Sequence, residues 1–161
     1  MKKLSHLNNK GRVQMVDVTA KAETIRKAKA RGIVKMDPQT LKLIEKGEIA
    51  KGNVLTTAKI AGIMAAKKTG ELIPLCHPLE LTGIDINFNI DRKNAQIEIE
   101  SQVQITGKTG VEIEALTAVS IAALTIYDMC KAVNKKIVIG EIMLLEKSGG
   151  KSGTFVRETS R

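Results

Sequence analysis

Two segments in the middle of the chain alternate apolar and polar residues. Residues 82–90 read TGIDINFNI, and residues 95–105 read AQIEIESQVQI. Alternation with a period of two places successive side chains on opposite faces of a strand. The residues between these segments, 91–94 (DRKN), have the composition of a turn. The pattern therefore predicts an antiparallel hairpin with one buried face.

Apolar residues recur at helical spacing in three other parts of the chain. Pro38 suits the first turn of a helix, and Gly47 follows that helix as a stop signal. The second helical stretch is followed by Gly70, which is another stop signal. The three predicted helices span residues 38–46, residues 53–68 and a stretch from 109 or 110 to about 133.

Two strands complete the predicted elements, at residues 33–36 and 136–146. The resulting order is strand, helices, strand, strand, helix and strand. This order predicts an α+β, ferredoxin-like split βαβ fold with helices packed on one face of an antiparallel sheet. The single domain is assigned to residues 15–153, between a flexible N-terminal arm (1–14) and a C-terminal tail (154–161).

The longest predicted helix is apolar around nearly its whole circumference. Such a helix must be buried on more than one side. One small sheet covers only one side, so the pattern predicts an oligomer. The apolar residues are Leu116, Ala118, Val119, Ile121, Ala122, Ala123, Leu124, Ile126 and Met129.

Composition narrows the class of partner. The chain has 161 residues, enough for one domain, and a formal net charge of +9, which favours an anionic partner. Only 2% of the residues are aromatic, and Phe88, Tyr127 and Phe155 are scattered. The stacking platform typical of RNA-binding proteins is therefore missing. A phosphorylated small molecule is the favoured partner, and a basic RNA-binding ferredoxin-like module is the alternative.

The cysteines and the N-terminus provide evidence on location. Cys76 and Cys130 do not form a CxxC motif, and the sequence holds no cluster of metal ligands around them. The basic N-terminus lacks the apolar core of a signal peptide, and no apolar run is expected to span a membrane. We expect a cytoplasmic protein with no metal site of its own and no nucleic-acid or membrane partner.

The stretch ITGKTG, residues 105–110, contains a Gly-Lys-Thr triplet of the kind found in phosphate-binding loops. The full motif needs another glycine five residues before Gly107, and that position is Gln102. ITGKTG is therefore not a P-loop. We interpret it as a tight turn at the N-terminus of the long helix, where free N–H groups favour an anion. A glycine-rich turn with a solvated lysine is the alternative.

Four further segments could carry chemistry, and each has a simpler alternative. Asp128 and Lys131 lie three residues apart on one helical face, as an acid–base pair partly shielded from water or as a surface ion pair. The prolines around His77 hold its ring for a ligand, or only form a turn. The loop at 147–153 (KSGGKSG) could cradle a phosphate or be a flexible tail. Residues 15–29 could bind an anion or form a solvated basic helix.

Taken in order along the chain, several short motifs resemble those of one family. The motifs are Asp17-Val-Thr-Ala-Lys21, Lys51-Gly52, Leu75-Cys-His77-Pro78, Thr106-Gly-Lys-Thr-Gly-Val-Glu112, Glu114-Ala-Leu-Thr-Ala, Tyr127-Asp128-Met-Cys-Lys131-Ala and Lys147-Ser-Gly-Gly-Lys-Ser-Gly153. Over residues 15–153 the chain resembles the MoaC family, the cyclic pyranopterin monophosphate synthases of molybdenum-cofactor biosynthesis. Ile113 and Asn53 stand where methionine and aspartate are common in the family. Neither departure replaces a proton-transfer group.

The resemblance implies a lyase that converts a cyclised nucleotide, 3',8-cyclo-7,8-dihydro-GTP, to cyclic pyranopterin monophosphate with release of pyrophosphate. It also implies a homohexamer, a trimer of dimers, with active sites between subunits. A functional link to the radical GTP cyclase that makes the substrate follows as well. No cofactor is required, although Mg²⁺ could assist at the substrate phosphates.

The resemblance also assigns roles to individual residues. Asp128 and Lys131 are the general acid–base pair, and the other catalytic residues are Lys51, His77 and Lys147. The residues that line the pterin site are Leu75, Cys76, His77, Glu112, Ile113 and Glu114. The remaining substrate-binding residues, whose basic members neutralise the triphosphate, are Asp17, Lys21, Arg26 and Lys67.

Overall fold

The computed structural model describes residues 10–158, which form an antiparallel sheet with helices on one face. The strand order is β2-β3-β1-β4-β5, and each neighbouring pair is antiparallel. The elements in chain order are β1 (Thr24–Lys35), α1 (Pro38–Lys46), α2 (Val54–Lys67), α3 (Thr69–Leu72), β2 (Gly83–Asp91), β3 (Gln96–Gly107), α4 (Glu112–Cys130), β4 (Val138–Ser148) and β5 (Phe155–Val156).

The predicted hairpin is confirmed as β2 and β3, paired from Gly83 with Gln104 to Asp91 with Gln96. Alternate side chains of this hairpin lie in the core, as its sequence pattern indicates. Ile86, Ile97 and Ile99 are almost completely buried, whereas the residues directly before and after each of them are half-buried or exposed. The buried face of the hairpin thus forms part of the apolar surface on which the helices pack.

Helix α4 is the central element of the core. It packs against β1, β3 and β4 and against α2, which itself packs on β2. Small side chains permit this close approach: a Cβ atom at Gly62 of α2 would lie 2.8 Å from the carbonyl oxygen of Ala118, and one at Gly32 of β1 would lie 2.6 Å from Val119 Cγ1. The apolar circumference of α4 is therefore largely explained by packing within one chain.

Helix α4 is long and apolar enough to cross a membrane, although the sequence analysis expected no apolar run to do so. Half of its apolar stretch is nevertheless buried inside this chain. Contacts with the sheet and with α2 identify it as the core helix of the fold.

The first half of β1 differs most from the sequence prediction. A strand was expected only at residues 33–36, with a basic helix as one alternative for residues 15–29, but β1 begins at Thr24. It pairs with β3 along its whole length and with β4 from Lys27. The alternation of buried Ala28 and Ala30 with charged residues has the period of a strand. Alanine is a weak strand former, so pairing on both sides decides the conformation.

Two smaller differences concern the ends of elements. The chain does not leave helical conformation at Gly70, because α3 contains that residue. In the predicted C-terminal tail, β5 pairs with β4 through Phe155 and Val156. Most of the predicted N-terminal arm, residues 1–9, lies outside the described residues.

We predict that replacing Gly62 by alanine lowers the free energy of unfolding. Alanine gains about 1 kcal/mol of helix propensity, but overpacking costs about 1–3 kcal/mol, and here the nearest obstacles include a backbone oxygen that moves only with α4. A net loss of up to about 2 kcal/mol is expected in denaturant unfolding at fixed protein concentration. Gly83→Ala is the control, because its nearest atom would be an ordinary contact at 3.7 Å. Equal stability of both variants would contradict the packing argument.

Candidate functional site

A cavity of about 400 Å³ lies at the N-terminal end of α4, and we call it the carboxylate cavity. Four segments that are far apart in sequence meet there: residues preceding β1, the proline-bracketed loop after α3, the ITGKTG turn and the first turn of α4. The lining residues are Val16, Val18, Lys21, Leu75, Cys76, His77, Leu79, Thr109, Gly110, Glu112, Ile113 and Glu114. The structure thus brings together all six residues assigned to the pterin site from sequence.

Glu114 is the most deeply buried acid in this cavity, with 4% of its surface exposed. Burial raises the pKa of Glu114 to about 7, and the nearby charge of Glu112 acts in the same direction. The pKa of the Cys76 thiol is also raised. Burial is the larger cause, and the charge of Glu114 acts in the same direction. A carboxyl group that is poised near neutrality can accept two N–H groups from a ligand once it is ionised.

His77 holds a neighbouring segment by a backbone hydrogen bond. Its Nε2–H donates to the carbonyl oxygen of Val16 over 2.8 Å. A carbonyl can only accept, so the hydrogen is assigned to Nε2, and Nδ1 is the acceptor when the ring is neutral. Within one chain, the His77 ring therefore forms a hydrogen bond with the backbone of a segment that is distant in sequence.

Residues 16–21, which we call the strap, contribute Val16, Val18 and Lys21 to the lining of the carboxylate cavity. Val16 and Val18 are half-buried in its lining, whereas the other strap residues are exposed. Asp17 accepts the N–H of Thr19 over 2.8 Å, and hydrogen bonds with Thr19 lower the pKa of Asp17. The backbone N–H of Lys21 donates to Val18 over 3.0 Å, which closes a turn.

A second cavity, of about 680 Å³, adjoins the strap, and we call it the basic cavity. Its lining residues are Ala20, Lys21, Ala22, Thr24, Arg26, Gly150, Lys151 and Ser152. Arg26 is fixed by the hydrogen bond of its Nε to the carbonyl oxygen of Gly107, 3.0 Å away. Lys147 donates to the Ser152 hydroxyl and so lies beside this cavity. Exposed ammonium groups and a glycine-rich loop suit a phosphate chain.

The third group of predicted residues lies at the other end of α4, and we call it the lysine–aspartate cluster. Lys51 and Lys131 each place Nζ 2.7 Å from a different carboxylate oxygen of Asp128. Lys51 also donates to the Asp128 carbonyl over 2.9 Å. Gly52, with φ of 98°, allows the turn between α1 and α2 that delivers Lys51.

These contacts control the charges of the cluster. Hydrogen bonds from Lys131 and then Lys51 lower the pKa of Asp128 to about 2. The Asp128 carboxylate raises the pKa of Lys131, so its attraction outweighs desolvation, a balance that the sequence left open. The cluster holds an ionised carboxylate between two ammonium groups.

In the single chain, Asp128 and Lys131 have the exposure of the surface ion pair that the sequence left as an alternative. Their side chains are 56% and 51% exposed. In addition, Glu114 and Asp128 are separated by 14 positions of α4, which corresponds to about 21 Å along the helix axis. One chain therefore holds the carboxylate cavity and the lysine–aspartate cluster at opposite ends of one helix.

The remaining assigned residues fall in different places. Asp17 lies on the strap, and Arg26 and Lys147 lie at the basic cavity. Lys67 is exposed in the last turn of α2 and lines neither cavity. Within residues 10–158, no group of three His, Cys, Asp or Glu side chains is placed to hold a metal ion.

Sequence reasoning missed several residues of the two cavities. Val16, Val18 and Leu79 supply apolar walls of the carboxylate cavity, and Thr24 lines the basic cavity. Their types carry no chemical signal by themselves. Their adjacency to the motifs around Asp17, His77 and Lys147 was the only indication available in the sequence.

Comparison with known proteins gives a consistent result. The MoaC family model matches residues 15–150. A relative from Heliobacterium modesticaldum is 58% identical over 98% of this chain and 99% of its own length. A relative from Desulfitobacterium hafniense is 61% identical over 96% of this chain and 94% of its own length. Both relatives carry the name cyclic pyranopterin monophosphate synthase.

We predict a pH-dependent gain in stability for Glu114→Gln. Between pH 4.5 and about 7 the folded protein holds a proton on Glu114 that the unfolded chain has released. Stability therefore falls as the pH rises through this window and is constant above it. The variant should exceed the native protein by up to about 3 kcal/mol at pH 8, and by little at pH 4.5. Denaturant unfolding at both pH values measures this, with Glu71→Gln as an exposed control. The same difference at both pH values would exclude a buried, protonated Glu114.

Proposed function

Because the chain belongs to the MoaC family, we propose that it is a cyclic pyranopterin monophosphate synthase of molybdenum-cofactor biosynthesis. It converts 3',8-cyclo-7,8-dihydro-GTP to cyclic pyranopterin monophosphate and releases pyrophosphate. The reaction opens one ring, forms the pyran ring on the pterin and closes a cyclic phosphate. The close relatives, which span nearly the whole chain, support this activity.

The observation that carries the proposal is the position of Lys21, which lines both the carboxylate cavity and the basic cavity. The first cavity offers buried acceptors and apolar walls to a flat ring with N–H groups. The second offers cationic groups and glycine backbone to phosphates. Two adjoining cavities of these kinds match a nucleotide-derived ring joined to a triphosphate.

In this proposal Glu114 and Glu112 bind the amino-pyrimidine edge of the pterin. Ionised Glu114 accepts the N–H groups of that edge, and their loss would leave a buried carboxylate without partners. Leu75, Cys76 and Ile113 form the surrounding wall. The basic side chains beside the phosphates are those of Lys21, Arg26, Lys147 and Lys151. Lys67, which lines neither cavity of its own chain, would reach the phosphates from a second chain.

The lysine–aspartate cluster performs the proton transfers. The Lys131 ammonium, stabilised by Asp128, is a proton donor whose loss of charge is coupled to its partner. Lys51 shares the same carboxylate and can restore the proton. His77 contributes the open Nδ1 of its ring to the ligand and fixes the strap through Nε2.

The site requires two chains, because the cluster and the carboxylate cavity of one chain are about 21 Å apart. An exposed apolar surface on the helix layer supports an interface there. Ile60 and Met64 of α2 and Leu124 of α4 are each more than half exposed. Burial of this surface in a dimer would bring the end of one α4 toward the start of the other and shield Asp128. The proposed assembly is a homohexamer of three such dimers.

The topology supports a ferredoxin-like classification of the fold. β1 and β2 are both antiparallel to β3, which lies between them, and β1 lies between β3 and β4. A strand inserted between the two strands of a βαβ unit is the split βαβ arrangement. β5 extends this pattern at one edge.

The RNA-binding alternative receives no support. Basic residues on the open face of the sheet lie close to carboxylates: Lys29 near Glu100, and Arg31 near Glu98 and Glu141. The positive charge of this face is therefore balanced. The same sheet offers no row of aromatic rings among residues 10–158, since Phe88 faces the helices.

Three associated proposals concern the setting of the reaction. Mg²⁺ would bind through the substrate phosphates, because this ion usually keeps several water ligands and is held by phosphate oxygens rather than by a site made only of protein groups. No other cofactor is needed. The substrate is supplied by the radical GTP cyclase of the pathway, and both enzymes act in the cytoplasm.

We predict that Lys131→Ala lowers pyrophosphate release from the cyclised nucleotide by roughly a hundredfold or more, the scale of general acid–base catalysis. Asp128→Ala should have a similar effect, and the double variant should be little worse than either single variant, because the pair acts as a unit. Lys93→Ala, on the β2–β3 turn, is the control. Near-complete turnover by Lys131→Ala would reduce the pair to a surface ion pair.

We further predict that two inactive variants restore activity when mixed. One carries Glu114→Gln, and the other carries Asp128→Ala, so each loses one end of α4. If each site combines the two ends from different chains, a mixed dimer contains one intact site. Co-refolding of equal amounts should yield about a quarter of the native sites. Recovery no greater than the sum of the separate activities would show that both ends act within one chain.

A further inference from the structure

The ITGKTG turn contains a lysine, Lys108, whose side chain bonds to the strap. Lys108 Nζ donates to the carbonyl oxygen of Thr19 over 3.0 Å. The two residues are 89 positions apart in sequence. Lys108 is half-buried, unlike Lys93 on the β2–β3 turn, which is exposed.

The strap is attached to the rest of the chain at two points. His77 holds it at Val16, and Lys108 holds it at Thr19, three residues farther along. The charge of Lys108 also helps to lower the pKa of Asp17, which lies between these points. The strap belongs to neither a helix nor a strand, so no backbone ladder holds it in place. Its local stability therefore depends largely on hydrogen bonds from side chains such as His77 and Lys108.

The second attachment determines where Lys21 lies. Thr19 is two residues before Lys21, and the Lys21 N–H closes the turn onto Val18. A turn fixed at Thr19 places the Lys21 side chain in the wall shared by the two cavities. If the hydrogen bond to Thr19 were lost, this turn would be free to move. The hydrogen bond from His77 to Val16 would then remain as a side-chain contact that holds the strap backbone.

We propose that Lys108 is a positioning residue, which fixes the strap so that Lys21 stays between the carboxylate cavity and the basic cavity. This inference rests on the function proposed above for those cavities. Lys108 acts through Lys21 and the strap backbone, not by contact with the substrate. The lysine of the ITGKTG turn thus has a role that neither a P-loop nor a solvated turn residue would have.

Hydrogen exchange tests the structural part of the proposal without substrate. In Lys108→Met, which keeps the length of the side chain but removes its donor and charge, the amides of residues 18–21 should exchange about tenfold faster. Lys93→Met, far along the hairpin, should leave their exchange unchanged. Lys108→Arg should restore most of the protection, because a guanidinium can also donate to Thr19. Unchanged exchange in Lys108→Met would overturn the proposal.

Kinetics with 3',8-cyclo-7,8-dihydro-GTP test the action through Lys21. Lys108→Met should raise KM roughly five- to tenfold and change kcat by less than about twofold, the pattern for lost substrate binding. In a Lys21→Met background the same change should alter KM by less than about twofold. Equal effects in both backgrounds would overturn the proposal. A native protein without turnover would refute the proposed function instead, and the exchange experiment would still decide whether Lys108 holds the strap.

Discussion

Helix α4 packs closely against both the sheet and α2 through small side chains, and the positions of the functional groups depend on this packing. Gly62 lets α2 approach the backbone of α4 at Ala118, and Gly32 makes room on β1 for Val119. Larger residues at either glycine would move the helix away from its neighbours. Because α4 carries Glu114 in its first turn and Asp128 in its last, any shift of the helix moves both chemical centres.

The two ends of α4 provide different electrostatic environments. Glu114 is buried beside another carboxylate, so its pKa rises to about 7 and a proton is easily retained. Asp128 is exposed between two ammonium groups, so its pKa falls to about 2 and it stays ionised. Residues of the same chemical type thus suit different tasks: recognition of N–H donors at one end and stabilisation of a lysine donor at the other.

The strap links the carboxylate cavity to the basic cavity. Its apolar Val16 and Val18 complete the wall of the first, and Lys21 belongs to both. His77 and Lys108, from two different loops, fix its backbone. A ligand that occupied both cavities would therefore contact a segment held in part by Lys108, which lines neither cavity.

The sequence by itself determined the elements with strong periodicity and the residue types available for chemistry. The β2–β3 hairpin follows from alternation, and α1 follows from Pro38 and Gly47, because these signals are local. The early part of β1 was not predictable, since alternating alanine and lysine form a strand only with partners on both sides. The tertiary structure alone decided that His77 and Lys108 meet the strap and that Glu114 is buried. Such contacts between distant segments depend on how the elements pack, which no local pattern encodes, whereas the separation of about 21 Å between Glu114 and Asp128 already follows from their positions on one predicted helix.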